Sequence, residues 1–127
     1  MEAIAQSGGK VLAMKKPSRK KDADWQVFER QARICKAFSS PIRLYIIKLL
    51  GQGERPLSEL QEELGISVPN LSQHLAVLRA AGVVQTRREG QHVFCSLPIP
   101  EVTQACTLIH GVIRRQIEQT KSLLASG

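Results

Sequence analysis

Residues 67–84, SVPNLSQHLAVLRAAGVV, open with Ser67, Asn70, Ser72, Gln73 and His74, a cluster of small polar side chains that a hydrophobic core does not need. Their chemistry is hydrogen bonding: the amides of Asn70 and Gln73 can pair with adenine or bridge neighbouring bases, and Ser67 and Ser72 can bond phosphate or base edges. The simpler role for Ser67 is a helix N-cap, and for His74 a solvated surface position. A second set lies in residues 83–97, VVQTRREGQHVFCSL, where Arg87, Arg88 and His92 bring positive charge that suits a sugar-phosphate backbone or a minor groove. As isolated charges they would be the solvated face of a hairpin. The third set is Cys35, Cys95 and Cys106, soft thiols, with Cys106 and His110 four residues apart so that one ion could be shared. Taken singly, each cysteine can equally be a small buried hydrophobe.

The elements that must position these groups follow from apolar spacing. Trp25, Phe28, Ala32 and Cys35 recur at helical intervals after Asp24, a capping residue, and predict a first helix ending near Phe38. Ser40-Pro41 starts a second, with Leu44, Ile47 and Leu49 or Leu50 inward and Gly51 and Gly53 closing it. A short third helix follows Leu57, with Ser58 near its cap, burying Leu60 and Leu64 and stopping at Gly65. The connector Gly65-Ile66-Ser67 and a fourth helix from about Val68 to Ala81 complete a helix-turn-helix, with Leu71, Leu75 and Leu78 on one face. Residues 83–97 predict two strands separated by Arg87–Gln91, a wing beside the recognition helix. Beyond Pro98 and Pro100, a last helix carries Val102, Ala105, Cys106, Ile109, Ile113 and Ile117 as an apolar stripe. The expected fold is mainly α with a small β-hairpin wing, a winged helix-turn-helix of order α-α-α-α-β-β-α.

The 127 residues suit a single domain, expected over 24–124, preceded by a basic tail over 1–23 that is either a solvated leader or an arm lying along phosphates. Eighteen Lys and Arg against 11 Asp and Glu give a formal charge of +7, which attracts polyanions. No membrane span and no secretory signal is legible, and three irregularly spaced cysteines fit a reducing compartment, so the expected location is cytoplasmic. His74, His92 and His110 fall on separate elements with no nucleophile–base pair or phosphate loop, which argues against an enzyme. A winged helix serving as a protein-interaction module is the rival class, and the polar positions 67–74 with Arg87-Arg88 favour DNA.

The linked motifs resemble those of the ArsR/SmtB winged-helix repressors: Ala37-Phe38-Ser39-Ser40-Pro41-Ile42-Arg43-Leu44, Leu57-Ser58-Glu59-Leu60, Leu71-Ser72-Gln73-His74-Leu75, residues 77–84 and Arg88-Glu89-Gly90-Gln91. The resemblance covers roughly residues 25–120. It implies a homodimer built through the terminal helices, bound to a palindromic double-stranded DNA operator and released by a metal, metalloid or sulfur species. The apolar stripes of the first and last helices support a two-fold mate, the alternative being that the last helix folds back on its own domain.

The third helix lacks the family's thiolate pair, and the last helix has Thr103 and His110 without the family's zinc-ligand pairs. The sensing expectation therefore falls on the thiols: Cys106 first, with Cys35 or Cys95 as partner, binding a thiophilic ion or undergoing sulfur or redox chemistry without any cofactor. The cysteines as core filler, with constitutive DNA binding, is the alternative.

Overall fold

A computed structural model describes residues 23–126. The chain divides into two compact units, residues 1–33 and 34–127. The expected basic tail lies outside the described residues except for Ala23, which is helical. Of the first unit, the described part is the start of helix α1 (Ala23–Ala37), where the Trp25 and Phe28 rings meet at 6.3 Å and 55°.

The second unit begins within α1, whose last residue, Ala37, is buried. Helix α2 (Pro41–Leu50) starts as the Ser40-Pro41 pair predicts: Ser40 is extended and its Oγ accepts the Arg43 N–H at 3.3 Å, with proline in the first turn where no N–H is needed. It buries Ile46, Ile47, Leu49 and Leu50. Helix α3 (Leu57–Leu64) is capped by Pro56 without a side-chain bond, so Ser58 sits inside the helix rather than at its cap. Helix α4 (Val68–Ala80) buries Leu71, Leu75 and Leu78. These meet α2, α3, Val83, Val84 and Cys95 in one apolar core with no buried charged or polar side chain among the described residues.

The sheet differs from the expected hairpin in two respects. Strand β1 (Arg55–Pro56) pairs antiparallel with β3 (His92–Ser96), which also pairs with β2 (Gln85–Glu89), giving the order β1-β3-β2. A two-residue strand containing proline has no alternation to read, and proline is tolerated because β1 is an edge. The second difference is that β2 runs through Arg87, Arg88 and Glu89, leaving Gly90 and Gln91 alone as the turn, with Glu89 opposite His92.

Helix α5 (Val102–Ser126) is 25 residues long and has no fully buried residue. Val102 and Cys106, near its start, pack against the core. Gly51, just past α2, permits this approach, because a Cβ there would come within 2.7 Å of the Thr103 methyl. No helix among the described residues is long and apolar enough to cross a membrane.

Leu78 is fully buried in the core, and truncating it leaves a cavity that rigid neighbours cannot close. Leu78→Ala is expected to lower unfolding free energy by roughly 2–5 kcal/mol, read from the urea midpoint at unchanged slope.

Candidate nucleic-acid interface

The turn between α3 and α4 is built by three residues with distinct tasks. Gly65 adopts φ 64°, a left-handed conformation that a Cβ would strain, and its N–H donates to the Gln61 carbonyl at 2.8 Å. Ile66 packs half-buried against the core. Ser67 is extended, and its Oγ accepts the Asn70 N–H at 3.3 Å, so the hydroxyl serves as an N-cap. With the leucine stripe held inward, the 3.6-residue period turns Asn70, Ser72 and Gln73 outward, and all three are exposed.

His74 does not join them. It is half-buried, with Nδ1 3.2 Å from Nη1 of Arg43 on α2. A guanidinium can only donate, so Nδ1 accepts and the ring proton belongs on Nε2. Arg43 also donates through Nε to the Ala37 carbonyl at 2.7 Å. The pair links α2 to α4 beside the buried leucine stripe.

The wing arginines separate by strand alternation. Thr86 and Arg88 share one face, opposite the buried Cys95 and the half-buried Val93. Arg87 lies on the other face, opposite Phe94, with its guanidinium 4.5 Å over that ring. Its Nε and Nη2 each donate to a Glu54 carboxylate oxygen at 2.8 Å, and Nη1 donates to Glu89 at 2.7 Å. These bonds hold the Glu54 carboxyl below the usual range and strengthen the charged form of Arg87. Three of the five N–H groups of Arg87 are thus taken by Glu54 and Glu89, and one N–H remains on each Nη. Arg88 makes no ion pair among the described residues. His92 is exposed at the turn end of β3, its ring 6.4 Å from Phe94.

Recognition helix and wing enclose a groove of about 400 Å³. Ser72, Leu75 and Arg79 line it from α4, Leu57 from α3, and Thr86, Arg87, Arg88 and Val93 from the wing. Arg79 was not singled out in the sequence, although it lies seven residues, two helical turns, beyond Ser72 and so on the same face. Like Arg88, it makes no ion pair among the described residues. The groove thus joins Ser72 of the outward polar turn to the guanidinium groups of Arg79 and Arg88, a combination suited to a polyanion with readable edges.

All three cysteines are free thiols. Cys95 is fully buried in β3, and burial pushes its thiol up to about 11, which favours the protonated form near neutrality. Cys106 is half-buried and also shifted upward by burial, whereas Cys35 is exposed. Cys106 and His110 line one pocket between α2 and α5. Among the described residues no group of three or more His, Cys, Asp or Glu side chains is gathered to hold a metal ion.

Residues 40–86 match the family model described as bacterial regulatory protein, arsR family. The biofilm growth-associated repressor of Xylella fastidiosa is 35% identical over 88 residues, covering 69% of this chain and 77% of that protein. The transcriptional activator HlyU of Vibrio cholerae is 42% identical over 77 residues, covering 61% of this chain and 71% of that one. In structure the chain is similar to a homodimeric winged helix-turn-helix DNA-binding domain from Mycobacterium bovis, at TM-score 0.69 and 28% identity, covering 84% of this chain and 95% of that one.

Thiol accessibility gives a direct check. Iodoacetamide at pH 8, followed by peptide mass spectrometry, is expected to modify Cys35 first, Cys106 more slowly, and Cys95 only after unfolding. The raised Cys95 thiol also has a stability consequence. The unfolded chain loses this proton near 9.0 and the native chain near 11, so native stability is lost as pH rises through that window, with a slope of up to about 1.4 kcal/mol per pH unit. Thermal unfolding of wild type against Cys95→Ala from pH 8 to 11 isolates this contribution.

Proposed function

The chain belongs to the arsR family of bacterial regulatory proteins, DNA-binding regulators of transcription, and on that premise we propose that it is a homodimeric repressor reading its operator through α4. The observation that carries the reading is the groove in which Ser72, from the exposed polar face of α4, meets Arg79 and Arg88. Asn70, Ser72 and Gln73 face base edges in the major groove, and Arg79 and Arg88 neutralise flanking phosphates. Ser67 and His74 act behind them, the first by capping α4 and the second by fixing it on Arg43. The exposed wing tip around His92 adds contacts to the backbone or the adjacent minor groove.

Helix α5 supports the dimer. It spans about 37 Å at 1.5 Å per residue and leaves Leu108, Ile109, Val112, Ile113 and Ile117 exposed, with Leu123 and Leu124 further on. A single chain does not leave so long an apolar stripe in water without a mate. Val27 and Phe28 of α1 are exposed as well and offer a mate more apolar area. The Mycobacterium bovis domain is a homodimer by its own description, and two-fold pairing here would set half-sites about one helical turn apart. Repression follows the Xylella relative, while the Vibrio activator shows that close sequences serve the opposite sign. Release by a thiophilic ion or sulfur species would draw on Cys35 and Cys106, because Cys95 is sealed in the sheet.

Fluorescence anisotropy on the chain's own upstream DNA tests the reading. Gln73→Ala is expected to cost about 1–3 kcal/mol of preference for that duplex over a scrambled one. Arg79→Ala and Arg88→Ala should weaken both duplexes alike and each reduce the log–log salt slope by about 1, whereas Arg87→Ala should change the slope less. Equal binding of wild type to cognate and scrambled DNA would refute sequence-specific readout. A reporter fused to the same upstream DNA gives the sign, with expression expected to fall when the chain is present. For the dimer, Ile113→Glu should convert a dimeric mass in analytical ultracentrifugation to a monomeric one.

A further inference from the structure

A second pocket lies away from the DNA-reading groove, between α2 and α5, with a volume of about 440 Å³, within the range of small-molecule sites. Leu44, Ile47 and the neutral thiol of Cys106 supply its apolar wall, and Lys48, His110 and Arg114 bring nitrogen groups to it. No carboxylate lines it, and neither Lys48 nor Arg114 makes an ion pair among the described residues.

The remaining polar groups are already committed in one direction. Thr103 donates its hydroxyl to the Pro100 carbonyl and Thr107 donates to the Thr103 carbonyl. The Gln52 side-chain oxygen accepts from Arg55, which leaves its amide N–H groups. What the pocket has to spare is mostly donors and positive charge above an apolar wall. The geometry points to a binding site for an organic carboxylate with an apolar body, whose occupancy changes the affinity of the recognition helix for DNA.

One helix connects the site to α4. Helix α2 supplies Leu44, Ile47 and Lys48 to the pocket, and the same helix holds His74 of α4 through Arg43. A ligand wedged between α2 and α5 therefore acts on the element linked to the reading helix. On α5, Thr103, Thr107, His110 and Arg114 recur at four, three and four residues on the side turned away from Leu108 and Val112, while Cys106 shares its stripe with Ile109, Ile113 and Ile117, so the pocket borders the proposed dimer seam. The effector half of this inference rests on the regulator reading; the binding half does not.

Isothermal titration calorimetry of the full chain with octanoate and 3-phenylpropionate, against octan-1-ol and inorganic phosphate, reads binding without DNA. At least one of the acids is expected to bind once per chain, about tenfold or more tighter than the alcohol or phosphate, and Lys48→Met with Arg114→Met should weaken it by a similar factor. With the acid present, anisotropy on the upstream duplex should show DNA affinity changed by about 5–150-fold for wild type and less for the double variant. Failure of both acids to bind, equal binding of acid and alcohol, or unchanged binding by the double variant overturns the site. Acid binding with unaltered DNA affinity overturns its coupling to α4. A chain that binds the acid but no DNA keeps the site and overturns the regulator reading instead.

Discussion

Burial of one stripe of α4 is the constraint on which the rest depends. Leu71, Leu75 and Leu78 enter the core together, and a straight helix that commits those positions inward has no freedom left for Asn70, Ser72 and Gln73. Each buried leucine contributes about 1.5–3 kcal/mol relative to exposure, so rotating α4 to hide its polar turn would forfeit several times that amount. Arg43 adds a second restraint by bonding His74 on the margin of the stripe. The outward polar face of α4 is thus a by-product of packing.

The wing shows how alternation sorts two neighbouring like charges. Pairing β2 with β3 in this register sets Thr86 opposite Cys95 and Arg88 opposite Val93, and turns Arg87 to the other face, opposite Phe94. Arg87 is then bound by Glu54, from the loop after α2, and by Glu89 of its own strand. An exposed ion pair of this kind contributes little to stability by itself. Its two bonds to Glu54 do join the wing to the segment ahead of β1, while Arg55 bonds the Leu49 carbonyl and Glu59 on either side. The wing is consequently anchored to the segment ahead of β1 through Glu54.

Helices, the helix-turn-helix and the wing were legible in the sequence because each is announced by period or by a capping residue: the leucine stripe, Ser40-Pro41, Gly65 and Gly90. The two-residue strand β1 was not, since its existence depends on β3 offering a free edge to Arg55 and Pro56. The candidate site was legible in type more than in detail. Asn70, Ser72 and Gln73 follow from helical geometry, but the engagement of Arg87 depends on Glu54, 33 residues away, and that of His74 on Arg43, 31 residues away. No local pattern encodes such contacts. Arg79 could have been found by carrying the period two turns past Ser72. The cysteines were read from spacing, and tertiary burial separates them: Cys95 sealed, Cys106 half-covered, Cys35 open.

The central claim is that the outward face of α4, with the groove side of the wing, is the surface that meets DNA. Backbone amide NMR shifts of the chain, titrated with its upstream duplex, map that surface most directly. The account predicts that the largest changes fall in residues 67–79 and 86–92, with Ile109, Ile113 and Ile117 of α5 little affected. Changes concentrated along α5, with α4 and the wing unmoved, would contradict it.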